Sequence, residues 1–80
     1  MMLHELETVV LEHDLPEHEL RRGDLGAVVQ VYGATAVDVE FVRASGRTQA
    51  LVRLPITAVR AVRDADLPAV RTLEPRRGAA

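Results

Sequence analysis

Eighty residues suffice for one domain and no more, and a chain of this size buries only roughly 60–65% of its unfolded surface, so its core is thin. With no cysteine, neither a disulfide staple nor a cysteine-based zinc site can form, which fits a reducing cytoplasm. Net charge is −2 at pH 7, unevenly spread: residues 1–20 hold six acids and no arginine, whereas residues 21–80 hold six acids and ten arginines.

The start, MMLHELETVV, has neither a basic leader nor a long apolar run, so no secretory signal or membrane span is expected. Leu3, Leu6 and Val10 fall at helical spacing, but extended structure with a short N-terminal turn is the reading taken. The first strand is expected at Thr8-Val9-Val10-Leu11. The polar stretch EHDLPEHELRRGD then reads as a long loop, broken by Pro16 and Gly23 and pinned to the core by Leu15 and Leu20.

A second apolar run, Leu25 to Tyr32, contains Gly26, which inside a strand marks a bulge or a close backbone approach. Gly33-Ala34-Thr35 turns the chain. Ala36 to Val42 alternates, with Val37, Val39 and Phe41 on one face and Asp38 and Glu40 on the other, the pattern of a half-buried strand. Ala44-Ser45-Gly46 makes a hairpin turn. Thr48 to Leu54 forms the fourth strand, with Ala50, Val52 and Leu54 inward, and Pro55 ends it for want of an N–H. The next residues suit one 3₁₀ turn, and Val59 to Arg63 a last short strand. Asp66 to Val70 has the makings of a loosely packed segment, and Glu74 to Ala80 the composition of a disordered tail.

Five short strands in so small a chain gain most by curling until one face of each is buried. The expected architecture is therefore all-β, a five-stranded SH3-like barrel over residues 1–65, with a 3₁₀ turn before the last strand. Residues 66–80 form a flexible C-terminal extension. The segments VVLEHDLPEHELRRGDLGAVVQVY, VDVEFVRASGRTQALVRLP and AVRAV carry a resemblance over about residues 6–63. On Asp14-Leu15-Pro16, Gly23-Asp24-Leu25-Gly26, Val39-Glu40-Phe41 and Leu54-Pro55 the chain resembles the bacterial family catalogued as domain of unknown function 4926. The resemblance implies a small cytoplasmic bacterial protein, encoded beside toxins, and hence an antitoxin or immunity role. The stretch from Gly23 to Val29 is also similar to the KOW-type strand of ribosomal and transcription-factor barrels, where the glycines serve the turn.

The chemistry on offer is sparse. His4, His13 and His18 share the acidic segment with Glu12, Asp14 and Glu17, but their spacing matches no zinc signature. Ser45 sits in a hairpin turn, and the threonines have no histidine beside them in sequence. No catalytic site, metal or other cofactor is therefore expected. Arg21, Arg22, Arg43, Arg47, Arg53 and Arg60 offer phosphate contacts, which makes nucleic-acid binding the alternative reading. Tyr32 and Phe41 are the only Tyr, Phe or Trp side chains, whereas single-strand binders stack bases on several. The expected role is a non-enzymatic protein-interaction module. Its partner surface is placed on Glu12, His13, Asp14, Glu17 and His18 of the loop with Arg43 and Arg53 nearby. The acidic loop would steer a basic protein partner such as a toxin, and an open strand edge would admit a second copy of the chain.

Overall fold

A computed structural model describes residues 3–74. Its strands are β1 (Thr8–Leu11), β2 (Leu25–Tyr32), β3 (Ala36–Val42), β4 (Thr48–Pro55) and β5 (Val59–Ala61), with 3₁₀ turns at Pro16–His18 and Ile56–Ala58. They form one antiparallel sheet in the order β4-β3-β2-β1-β5. This is the order of an SH3-like arrangement. Among the described residues no strand pairing joins β4 to β5; the second 3₁₀ turn links these two edges.

Alternation decides which face each strand buries. Val9 and Leu11 of β1, Val28 of β2, Val37, Val39 and Phe41 of β3, Leu54 of β4 and Val59 of β5 all enter one core with Leu3, Leu20, Ala50 and Ala58. Because every strand feeds that single cluster, the sheet curls around it. Gly26 lets the curl tighten. A Cβ there would lie 2.5 Å from Val39 Cγ1 and 2.9 Å from Phe41 Cε1, so only glycine lets β2 pass over the Phe41 ring.

The bulge itself lies elsewhere. Val28 pairs with Val39 and Gln30 with Asp38, leaving Val29 as the extra residue. Strict alternation after Val28 would have turned Gln30 inward; the insertion brings Val31 against the core instead. A second register shift, between Phe41 and Val42, sets Gln49 out of step in β4.

Three element boundaries depart from expectation. The loop after β1 contains a 3₁₀ turn at Pro16–His18, closed by a Leu15–Leu20 bridge. Leu20 is buried and Leu15 packs on the core, so both pins hold. Pro55 is included in β4, facing Ala36 at the sheet edge where its missing N–H is no loss. β5 stops at Ala61 rather than Arg63, because β1 offers it only Val9, Val10 and Leu11 as partners. Beyond β5 the chain runs without regular structure to Glu74, and the end of the expected tail, residues 75–80, lies outside the described residues.

Candidate functional site

The loop between β1 and β2 is built to hold one shape. The Leu11 N–H donates to the Asp24 carbonyl at 2.9 Å and the Gly23 N–H to the Leu11 carbonyl at 2.8 Å, closing its neck. Asp14 accepts the Arg22 N–H at 2.8 Å, and Asp24 accepts the Arg21 N–H at 2.8 Å. From β4, Gln49 donates to the His18 carbonyl at 3.1 Å.

Residues 62–74 form a strap fastened across the neighbouring sheet face at two points. At its start, Arg60 forks onto Asp66, Nη1 to Oδ2 at 2.8 Å and Nη2 to Oδ1 at 2.9 Å, and its Nε lies 3.4 Å from Glu12. The Arg60 fork, followed by the Arg63 N–H, draws the Asp66 carboxyl down to about 2. At its end, Arg71 forks onto Asp24, with Nε–Oδ1 at 2.9 Å, and also donates to the Glu19 carbonyl at 2.9 Å. Burial pushes Asp24 upward, but the Arg71 fork and the Arg21 N–H outweigh it and hold the carboxyl below its usual range.

Between strap and sheet lies an open groove of about 940 Å³. Val10 sits on it, facing away from the core beside its cross-strand neighbours Leu25 and Arg60. It is 6% exposed although it lies on the outward side of β1. Among the described residues, three of the eight exposed large apolar side chains, Leu25, Val42 and Val62, line this one groove while remaining half-buried, whereas Leu67 and Val70 on the strap are 91% and 98% exposed and project into solvent. On a surface of ordinary composition such residues are scattered singly. Here they are gathered.

The residues singled out from sequence divide between two places. Glu12, His13, Asp14, Glu17 and His18 lie on the loop, with His13 and Glu17 exposed and Glu12 and Asp14 engaged as described. Arg43 joins them through Gln49, to whose Oε1 its Nε donates at 2.8 Å. Arg53 does not. It lies on the outer face of β4, with Nε 3.0 Å from Asp38 Oδ1, Nη2 2.6 Å from the Tyr32 hydroxyl and its guanidinium 4.1 Å from the Tyr32 ring centre. Tyr32 donates to Asp38 at 2.6 Å, which raises the phenol's pKa, while Arg53 and then Tyr32 lower that of Asp38. The sequence suggests a loosely packed segment at Asp66 to Val70 but not its fastening by Asp66 and Arg71. Their only signal in the sequence is a pair of charges in a weakly patterned stretch. Among the described residues no three of His, Asp and Glu converge as ligands for a metal ion, and no helix is long and apolar enough to cross a membrane.

A family model described as domain of unknown function (DUF4926) matches residues 5–61. The chain belongs to this family. The matched DUF4926 region runs from the residues before β1 to the last residue of β5, so it contains the loop and the whole sheet but stops short of the strap. No curated protein and no solved structure matches the chain.

Proposed function

We propose that this DUF4926 domain is a non-enzymatic protein-interaction module, acting in the cytoplasm through the end where loop, strap and β3–β4 hairpin meet. The observation that supports this reading is the gathering of exposed apolar side chains in a groove whose walls are held by hydrogen bonds and ion pairs. A surface fixed before its partner arrives loses less conformational freedom on association. An antitoxin or immunity role is the form of this proposal in which the partner is a toxin; finding a toxin-like reading frame beside the gene would favour that form.

The test is co-purification from cells that express the protein, identification of the bound material by mass spectrometry, and reconstitution from purified components. A stoichiometric protein complex that re-forms in calorimetry is the expected result. Recovery of nucleic acid alone, released by moderate salt, replaces the proposal with phosphate binding by the arginines.

A further inference from the structure

The groove has a charge as well as an apolar lining, and the two together specify what fits it. Four arginines line it, Arg22, Arg43, Arg60 and Arg71, against two aspartates, Asp24 and Asp66. Both aspartates are consumed internally, Asp24 by Arg71 and Asp66 by Arg60. Arg60 is further occupied by Glu12. Arg22 and Arg43 remain. Among the described residues neither guanidinium meets a carboxylate: Arg22 engages Asp14 only through its backbone N–H, and Arg43 contacts the neutral Gln49. The charge left over in the groove is therefore positive, although the loop beside it is the most acidic part of the sequence.

We infer that the groove docks an extended partner segment in which carboxylates alternate with apolar side chains. The apolar residues would seat on Leu25, Val42 and Val62, and the carboxylates would meet Arg22 and Arg43 at the rim. This rests on the interaction-module reading and reverses the sign of the partner charge that the acidic loop alone suggested. Charge also argues against two other occupants. The chain's own residues 75–80, PRRGAA, bring two further arginines and no large apolar side chain. Nucleic acid would find phosphate contacts but no ring to stack on, since Phe41 is buried in the core.

The test uses the whole chain, isotopically labelled, titrated with three synthetic octapeptides: alternating Glu–Leu, alternating Lys–Leu and alternating Glu–Ser. The Glu–Leu peptide is expected to bind saturably, shifting the amide signals of Leu25, Val42, Val62 and Leu67. The other two peptides are expected to bind at least tenfold more weakly. The double variant R22E/R43E, at exposed positions that leave the core untouched, should lose at least tenfold in affinity for Glu–Leu, and R53E should lose none. Equal binding of the Lys–Leu peptide, shifts confined to the loop Glu12 to His18, or no saturation at millimolar peptide overturns the inference. So does concentration-dependent broadening of the same signals in the free protein, which would make a second copy the occupant. If a reconstituted partner complex is indifferent to R22E/R43E, this inference falls while the interaction-module reading stands; if no protein partner is found at all, both fall.

Discussion

Val9 and Leu11 point to one side of β1 and Val10 to the other, and all three are buried. The two sides reach that state by different means. On the inner side burial is collective: Phe41, the valines of β3 and the bare backbone of Gly26 interlock in one cluster that every strand feeds. On the outer side Val10 lies between its cross-strand neighbours Leu25 and Arg60 at the floor of a groove, whose far wall is a strap fastened by two arginine forks, one of which joins residues 47 apart in sequence. Apolar packing resists changes of volume and carries no titrating group or charge for salt to screen. Ion pairs with partly exposed members are weak, screened and reversible. One side of β1 is therefore a core and the other an adjustable surface.

That contrast can be broken most violently at Phe41. Phe41→Ala removes the largest fully buried side chain and is expected to cost about 3–5 kcal/mol, much of a small domain's stability, read by urea unfolding. A loss under about 1 kcal/mol would mean the inner face repacks freely. Gly26→Ala comes next, since the new methyl must displace Val39 and the Phe41 ring. About 1–3 kcal/mol is expected, a fall in Tm of roughly 10 °C for a chain this size; an unchanged Tm would show that β2 can lift away.

Arg71→Gln sharpens the other half of the comparison. It should leave the melting transition within about 1 kcal/mol of the parent, while proteolytic cleavage between Asp66 and Glu74 accelerates several-fold. Equal cleavage rates would show that the Arg71 fork does not hold the strap. The gentlest probe is acid. Asp66 titrates at about 2 when folded and at about 4 when unfolded, so its stabilising contribution is complete above about pH 4 and fades as pH falls through about 2. A carbon-detected titration of the Asp66 carboxyl checks this directly, and a midpoint at the ordinary value would mean Arg60 does not grip it.

The inner face was largely readable from the chain. Alternation at Val37, Val39 and Phe41 marks β3, Gly46 with its φ of 92° marks the hairpin, and Pro55 marks the end of β4 within one residue. These signals are legible because each depends on neighbours a few residues away. The bulge at Val29 is not, since nothing in Val28-Val29-Gln30 distinguishes the inserted residue; the demand comes from Val31, which must meet the core. The groove is illegible for the same reason on a larger scale. Asp24 gains its counter-charge, and the groove its far wall, from the far end of the chain. Arg53, grouped from sequence with the loop, belongs instead to a cross-strand cluster with Tyr32 and Asp38 that only the β3–β4 register reveals.

Strand order carries a consequence for how the protein is made. β2, β3 and β4 are joined by short turns and can zip together as they leave the ribosome. β1 pairs with β2 across the long loop, but its other edge stays bare until β5, the last strand, emerges to meet Val9, Val10 and Leu11. During that interval the chain exposes an unpaired edge of its most apolar strand, the kind that recruits neighbouring chains. Four acids flank that edge in sequence, Glu5 and Glu7 before it and Glu12 and Asp14 after it, and charge of one sign beside an apolar strand disfavours pairing with a second copy.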